Sequence, residues 1–143
     1  MSDSQTVVSE ENSAMTAQEI GRMGEDAVCY YLEYLGYQII ARNFRVRGGE
    51  IDVIASKNED LCFLEVKTRK LNGLTDGLES VSRKKQNLII RAAHAYCNKY
   101  QIPIEDWYIR YDIASVTTLH DRIIDIEYLE SAFDETDFHD HNY

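Results

Sequence analysis

The chain has 143 residues, of which 44% are hydrophobic and 10% aromatic, and its formal net charge at pH 7 is -10. This composition fits one globular domain and excludes collagen-like, wholly disordered, disulfide-scaffold and membrane-spanning proteins, since no window approaches the ~18–20 apolar residues of a span. By itself, so negative a charge argues against nucleic-acid binding, because nucleic-acid-binding proteins usually carry a basic face.

The first predicted elements are an acidic leader and a helix. Residues 1–15 are polar, acidic and aperiodic, which predicts a disordered leader. Thr16 and Glu19 form a capping box, and apolar residues spaced by three and four follow as far as Leu35. We therefore expect a helix that Gly36 ends.

Three strands are predicted next, as a meander. The segments Tyr37–Phe44, Glu50–Ser56 and Leu61–Thr68 are rich in β-branched and aromatic residues, which favour strands. Gly48 and Gly49 predict the first turn. The next segment, Asn72–Glu79, has no apolar period and is predicted to be a loop.

A second helix is predicted from Ser80 or Ser82 to Tyr100, and it is followed by two strands, Trp107–Val116 and Ile123–Leu129. The order αβββαββ predicts an α/β (α+β) domain with a mixed central sheet of about five strands flanked by helices. This domain would span residues 16–129, and residues 130–143 would form an acidic tail.

The charge is distributed unevenly along the chain. Residues 1–41 carry a formal charge of -6, residues 42–91 carry +4 and residues 92–143 carry -8. Cation clusters in the middle block can converge into one phosphate-binding surface, although solvated loop charges give the same composition. The clusters are Arg42/Arg45/Arg47, Lys67/Arg69/Lys70 and Arg83/Lys84/Lys85.

The three cysteines, Cys29, Cys62 and Cys97, are odd in number and far apart. They are typical of small buried side chains in a reducing compartment, so we expect a cytoplasmic protein without disulfides. The first residues lack the basic and apolar regions of a signal peptide, which favours the same location.

Acidic side chains and a lysine share one face of two predicted strands. Because side chains alternate along a strand, Glu50 and Asp52 share a face, as do Glu65 and Lys67. A hairpin about the intervening turn would set Asp52 opposite Glu65 and Glu50 opposite Lys67. The sequence therefore predicts two or three carboxylates and one ammonium within a few ångströms.

Crowded carboxylates are unfavourable unless a cation neutralises them, and Mg²⁺ is usually held by one or two carboxylates with waters and phosphate. A lysine beside such a site can orient a water or offset phosphate charge. Asp52, Glu65 and Lys67 are thus the minimum set for metal-dependent phosphodiester hydrolysis. The alternative is an exposed ion pair on a strand, which contributes little energy.

Glu25 is a further candidate. At about 100° per residue it borders the apolar stripe of the first helix, whereas Asp26 points to solvent. Glu25 could therefore reach an ion held by Asp52 and Glu65. A boundary glutamate that extends into solvent fits the helical geometry equally well.

Six short motifs, ordered and spaced specifically over residues 16–129, also resemble a known family. They are GRMGE (Gly21–Glu25), GYQIIARN (Gly36–Asn43), GEIDVIA (Gly49–Ala55), LEVKTR (Leu64–Arg69), VSRKKQ (Val81–Gln86) and RYDIASV (Arg110–Val116). The series resembles the YraN-like family, a bacterial family of predicted endonucleases with the restriction-endonuclease-like fold, related to archaeal Holliday-junction resolvases.

The resemblance implies a PD-(D/E)xK nuclease site. Asp52 and Glu65 would bind Mg²⁺ or Mn²⁺, Lys67 would be the catalytic lysine, and Glu25 would complete the site from the helix. Glu50 matches a family acid and is a further candidate metal ligand. The implied activity is endonucleolytic hydrolysis of DNA, which is structure-specific in the related resolvases.

The resemblance also implies partners. DNA with branched or single-stranded regions would be held by Arg45, Arg47, Arg69 and Lys85. Lys85 and Gln86 match the helix motif and would face the DNA or support the site. A homodimer, a nucleoid location and a recruiting protein bound through the acidic ends are further expectations, without any membrane contact.

Two other functional classes are compatible with the sequence. One is a non-catalytic nucleic-acid-binding or adaptor domain that retains the nuclease fold, although the intact Asp52, Glu65 and Lys67 set speaks against a lapsed site. The other is a protein-interaction module that uses its acidic ends. Arg110 and Asp112 also match the family, and we interpret them as a structural pair.

Overall fold

The computed structural model describes residues 14–71 and 81–139. Its order of elements, αβββαββ, is the predicted one, and the mixed five-stranded sheet flanked by two helices is consistent with a restriction-endonuclease-like core. Most of the predicted leader and the predicted loop Asn72–Glu79 lie outside the described residues. The elements are α1 (Ala17–Tyr34), β1 (Gln38–Val46), β2 (Gly49–Lys57), β3 (Asp60–Lys70), α2 (Arg83–Lys99), a short 3₁₀ turn (Ile104–Asp106), β4 (Tyr108–Leu119) and β5 (Arg122–Phe133).

The sheet has the order β1-β2-β3-β4-β5, and every pair is antiparallel except β3 with β4. The parallel pair requires a crossover connection, which contains α2. Both ends of α1 follow their predicted signals. The hydroxyl of Thr16 accepts a hydrogen bond from the Glu19 N–H at 3.1 Å, and Gly36 ends the helix with a φ of 97°.

Two apolar clusters cover the two faces of the sheet. The α1 side is formed by helix residues such as Leu32 and by strand residues of β2, β3 and β4. The α2 side contains Phe63, which is fully buried and makes edge-on or stacked ring contacts with Tyr96 and Tyr111. Burial of each large side chain contributes about 1.5–3 kcal/mol, so these clusters hold both helices on the sheet.

The alternation of side chains along β2 changes at Asp52. Strict alternation would place Ile51 and Val53 on one face, but Ile51 packs on the α2 side with Ile54, and Val53 packs on the α1 side. Asn43, between two paired positions of β1 in the same part of the sheet, has a φ of 53°. The backbone is therefore irregular where the candidate residue Asp52 lies.

Strands β2 and β3 pair over only part of their length, and they separate toward the start of β2 and the end of β3. Their pairing runs from Lys57–Asp60 to Val53–Leu64, the predicted register, whereas β3 continues beside β4 to Lys70. The C-terminal half of β3 is therefore open on the side that faces β2.

Residues 130–139, which the sequence analysis assigns to an acidic tail, pack against the domain as far as Phe138. β5 continues to Phe133, and both phenylalanines contact the α2-side cluster. Arg83 Nη1 lies 2.9 Å from Asp137 Oδ2. The two aromatic side chains explain why this acidic segment follows the surface of α2.

Arg110 and Asp112 form a buried structural pair, as the sequence analysis interprets them. The Asp112 carboxylate is fully buried and accepts hydrogen bonds from Arg110, from the Tyr128 hydroxyl at 2.6 Å and from the Ser131 N–H at 2.9 Å. Arg110 also donates to Asp60, the first residue of β3. Loss of one partner from such a pair costs about 3–5 kcal/mol, so the network fixes β4 and β5.

All three cysteines are free thiols, and Cys29 and Cys62 are buried. Neither helix in the described part of the chain is long and apolar enough to cross a membrane.

Two glycines let the helices approach the strands that carry the candidate site. A Cβ atom on Gly24 would overlap the hydroxyl of Thr68 on β3 and lie 3.1 Å from its Cβ. A Cβ on Gly49 would lie 2.5 Å from the Leu88 carbonyl oxygen of α2. Both positions therefore exclude any larger residue unless a helix shifts.

We expect Gly24→Ala to lower the free energy of unfolding by about 1–3 kcal/mol, because the added methyl group overpacks the contact with Thr68. Gly21→Ala is the matched control, since a Cβ there meets nothing within 4 Å. That substitution should raise the free energy of unfolding by up to about 1 kcal/mol through helix propensity. Urea unfolding measures both, and equal stabilities of the two variants would contradict the close contact.

Candidate active site

Asp52 lies in the gap between β2 and β3. Its Oδ2 accepts a hydrogen bond from the Val66 N–H at 2.8 Å, so the carboxylate takes a backbone donor on the open edge of β3. Glu65, the preceding residue of β3, shares a hydrogen bond with Asp52. Each of the two acidic residues is only 9% exposed. The structure therefore brings together the two carboxylates that the sequence predicts to be neighbours.

Burial perturbs both carboxylates, and the charge of Glu65 also acts on Asp52. Desolvation is the main cause that raises the pKa of Asp52 to about 7, the negative charge of Glu65 adds to it, and the Val66 N–H acts against it. Burial also raises the pKa of Glu65, although two lysines oppose this change. The pair therefore retains a proton well above the usual range of carboxyl groups.

Two lysines flank Glu65 from different elements. Lys85 Nζ lies 3.7 Å from Glu65 Oε1, and the charges of Lys85 and Lys67 both lower the pKa of Glu65. Lys85 belongs to the first turn of α2, where its N–H donates to the Ser82 hydroxyl at 3.1 Å. This N-cap fixes the start of α2 and places the Lys85 side chain at the carboxylates.

Glu25 faces the same carboxylates from α1. Burial is the main cause that raises its pKa, followed by the negative charge of Asp52, whereas a hydrogen bond with Asn43 and the positive charge of Arg42 lower it. Its side chain is 19% exposed, whereas that of Asp26 is 49% exposed and lies 2.7 Å from Arg42. The helix thus directs Glu25 toward the sheet and Asp26 toward solvent, as their angular positions around the helix axis predict.

Glu50 lies at the rim of the site. It is paired on the sheet with Arg45, whose Nε is 3.6 Å from Glu50 Oε2, and it is not paired with Lys67. The expected Glu50–Lys67 pair is wrong because β2 and β3 have already separated at this level. The charge of Glu50 still contributes to the raised pKa of Asp52, as the smallest of the causes.

Within the described ranges, no three His, Cys, Asp or Glu side chains converge as a ready metal-binding group. Asp52 and Glu65 nevertheless fit Mg²⁺ or Mn²⁺, because Mg²⁺ is usually held by one or two carboxylates completed by waters and phosphate oxygens. The negative charge of Glu65 also raises the pKa of Asp52, and a divalent cation would offset this repulsion. Metal binding by Glu25 and Glu50 stays a prediction.

The candidate DNA contacts have different positions. Arg47 lies in the turn between β1 and β2, Arg45 precedes it, and Arg69 is near the end of β3, so all three lie at the end of the sheet nearest the site. Gln86 instead donates a hydrogen bond to the Val81 carbonyl at 2.9 Å, which supports the start of α2. DNA contact by these residues stays a prediction.

The contacts of Arg42 and Asn43 with Glu25 were not predicted from the sequence. Arg42 Nη2 lies 3.7 Å from Glu25 Oε1, and Asn43 forms a hydrogen bond with Glu25 from the left-handed backbone conformation noted above. Asparagine adopts this conformation more readily than most residues, which is the one available signal. The pairing of Arg42 with α1 had no signal, because it depends on how the helix crosses β1.

Comparisons with known proteins show which family the chain is similar to. The model of the uncharacterised protein family UPF0102 matches residues 24–116. The chain is 37% identical over 116 residues to a UPF0102 protein of Alkaliphilus oremlandii, which covers 81% of this chain and 98% of the relative. It is 39% identical over 120 residues to one of Dictyoglomus turgidum, with coverage of 83% and 100%. It is 40% identical over 121 residues to one of Chlorobium phaeobacteroides, with coverage of 80% and 94%.

The carboxylate pair should make the protein less stable as pH rises. Because the pKa of Asp52 is about 7 in the folded chain against an ordinary 3.8, the folded state binds more protons between these values. The contribution of this group to the free energy of unfolding is therefore present below about pH 4 and is lost as pH rises through about 7. We expect Asp52→Asn, which keeps an oxygen for the Val66 N–H, to be more stable than wild type at about pH 8 by on the order of 2 kcal/mol.

Urea unfolding in EDTA between about pH 4 and about pH 8 measures this difference. Glu33→Gln, on the exposed face of α1, is the control for the loss of one negative charge. An Asp52→Asn protein that gains no stability relative to wild type as the pH rises would contradict the buried pair.

Proposed function

The chain belongs to the UPF0102 family, the YraN-like family that its motifs resemble, and we propose that it is a metal-dependent endonuclease that hydrolyses DNA phosphodiester bonds. The observation that carries the proposal is the buried pair of Asp52 and Glu65 with Lys67 and Lys85 beside it. Carboxylates that repel each other at the opening of a sheet suit a cation, and ammonium groups suit the anionic substrate.

In the proposed reaction, Asp52 and Glu65 hold Mg²⁺ or Mn²⁺, which when bound would offset phosphate charge and lower the pKa of a water. The Val66 N–H holds the Asp52 carboxylate in one orientation. The Lys67 ammonium stabilises the negative charge that develops on the phosphate oxygens as a water attacks phosphorus in line. The P–O3′ bond breaks as the new bond forms, the attacking water loses a proton to solvent, and the leaving 3′ oxygen takes one up. The expected products are therefore 5′-phosphate and 3′-hydroxyl ends.

The distribution of charge supports binding of DNA at the site end of the sheet. Arg47 and Lys70 are exposed at that end, whereas Glu59, Glu105 and Asp106 are exposed at the opposite end. A phosphate backbone is attracted to Arg47 and Lys70 and repelled by the three acids at the opposite end, so the net charge of -10 does not exclude a nuclease. It does predict weak and localised binding that depends strongly on salt.

One observation favours a second candidate, a non-catalytic nucleic-acid-binding or adaptor domain. The 3.7 Å contact between Lys85 and Glu65 offsets the charge of one carboxylate without a metal ion. In this candidate the site is a structural ion pair, and the basic residues serve binding alone. The homodimer, the preference for branched or single-stranded DNA and the recruiting partner stay predictions under both candidates.

Cleavage of DNA separates the two candidates. The protein is incubated with branched, single-stranded and duplex DNA in Mg²⁺ or Mn²⁺, and the products are resolved by electrophoresis. We expect the wild type to cut at least one form, and Asp52→Ala and Lys67→Ala each to lower the rate by at least about 10²-fold, because each removes a group that stabilises transition-state charge.

Lys99→Ala, at the exposed C-terminal end of α2, is the matched control for the loss of a lysine and should cut at the wild-type rate. Cutting that persists in both site variants would contradict the assignment of the site. Binding of DNA by the wild type without any cutting, in both metals, would support the adaptor instead.

A further inference from the structure

A polar pocket of about 240 Å³ lies on the sheet next to the candidate active site. Ser115 and Thr117 of β4 line it centrally, Arg69 of β3 lines one side, and Asp125 and Glu127 of β5 line the other. The pocket residues of β4 and β5 have no role in the predicted site, and the proposed reaction does not use them.

The register of the sheet connects this pocket directly to the candidate catalytic lysine. Lys67 pairs with Ser115, and Ser115 pairs with Glu127, so these three residues form one row across β3, β4 and β5. Residues that are directly opposite on neighbouring strands point to the same face of a sheet. The pocket therefore begins one strand away from Lys67, and its second row consists of Arg69, Thr117 and Asp125.

The face of the sheet changes from apolar to polar where α2 begins. Phe63 and Ile113 lie beneath α2 in the apolar cluster, and Lys85 in the first turn of α2 contacts Glu65. Beyond that contact, the same face carries hydroxyl and charged groups around a concavity. The Ser115 residue is only 7% exposed, so it belongs to the wall of a pocket and not to an open, solvated strand surface.

Two apolar residues complete the lining of the pocket. Leu71 follows β3 and is 39% exposed, and Ile124 is 50% exposed. Ile124 is left without a partner where the β4–β5 register shifts, between the pairs that contain Thr117 and Thr118. The lining thus combines apolar groups, hydroxyl groups, one cation and two carboxylates.

This lining selects against a phosphate group and for a heterocycle. Asp125 and Glu127 repel phosphate but accept hydrogen bonds from amines. Arg69 and the hydroxyl groups can donate hydrogen bonds to ring nitrogens and carbonyl oxygens. A volume of about 240 Å³ lies below the ~300–1,000 Å³ of drug-sized ligand sites, so the pocket takes one ring system and not a whole nucleotide. Leu71 and Ile124 suit the faces of such a ring.

We propose that this pocket binds one unpaired nucleobase with an exocyclic amine, next to a phosphodiester bond held at Asp52, Glu65 and Lys67. The inference rests on the proposed nuclease function and adds to it a substrate class, a strand that presents a free cytosine, adenine or guanine beside the bond. Thymine, which has a carbonyl oxygen where cytosine has its amine, would face the two carboxylates unfavourably.

Replacement of the two acidic residues distinguishes general repulsion of DNA from recognition of a base. If Asp125 and Glu127 only repel DNA, their replacement by amides tightens binding of every strand equally. If the two carboxylates accept hydrogen bonds from a base, the same replacement removes a preference for cytosine over thymine. Both residues are exposed on the edge strand β5, so isosteric amides leave the fold unchanged.

The experiment measures binding of fluorescently labelled pentadeoxycytidylate and pentathymidylate, two pyrimidine strands with equal numbers of phosphates, by anisotropy in EDTA. The proteins are the wild type, the double variant Asp125→Asn/Glu127→Gln and the matched control Glu105→Gln/Asp106→Asn, which removes two exposed acids at the opposite end of the sheet. We expect the wild type and the control to bind the cytosine strand about tenfold more tightly than the thymine strand, and the β5 double variant to lose this preference.

Equal affinity of the wild type for the two strands would overturn the proposal that the pocket binds a base with an exocyclic amine. The endonuclease proposal would still be tested by the cleavage assay. Tighter binding of both strands by the β5 double variant, with an unchanged preference, would show that the acids only repel DNA and would also overturn it. Absence of binding to either strand would also overturn base binding by the pocket, and the cleavage assay on branched and duplex DNA would still test the endonuclease proposal.

Discussion

The separation of β2 from β3 after the Val53–Leu64 pair is the constraint on which the candidate site depends. A continued ladder would give the Val66 N–H a backbone acceptor, but here the acceptor is the carboxylate of Asp52. A charged group thus occupies a position inside a sheet, where desolvation is expensive. Glu65 of β3 lies beside this carboxylate. Because both acids are buried, the pair needs a shared proton, a nearby cation or both.

The rest of the fold holds this unfavourable arrangement in place. Gly24 and Gly49 set the distance of each helix from the strands that carry the acids. The buried Arg110–Asp112 pair fixes β4 and β5 on the other side of β3. Such packing explains how a carboxylate pair that lowers stability at neutral pH persists, and local destabilisation of this kind is typical of a site kept for function.

The sequence predicted the elements and their order because the signals for them are local. The capping box at Thr16 and the period of each strand depend on neighbouring residues, and the register of β2 and β3 follows from their short turn. The sequence also predicted the Asp52–Glu65 contact, because these two residues follow directly on the last pair of that register, Val53 with Leu64. The shift of Ile51 to the α2 side and the contact of Lys85 with Glu65 were not predicted, because both depend on how separate elements cross in space.

The central claim is that Asp52 and Glu65 form a site for a divalent cation in the gap between two strands. The most direct test is the melting temperature of the wild type and of Asp52→Asn in EDTA and in about 10 mM Mn²⁺. A ligand that binds only the folded state stabilises it, so Mn²⁺ should raise the melting temperature of the wild type by about 3 °C or more and leave that of Asp52→Asn unchanged. Equal shifts in the two proteins, or no shift in the wild type, would contradict the claim.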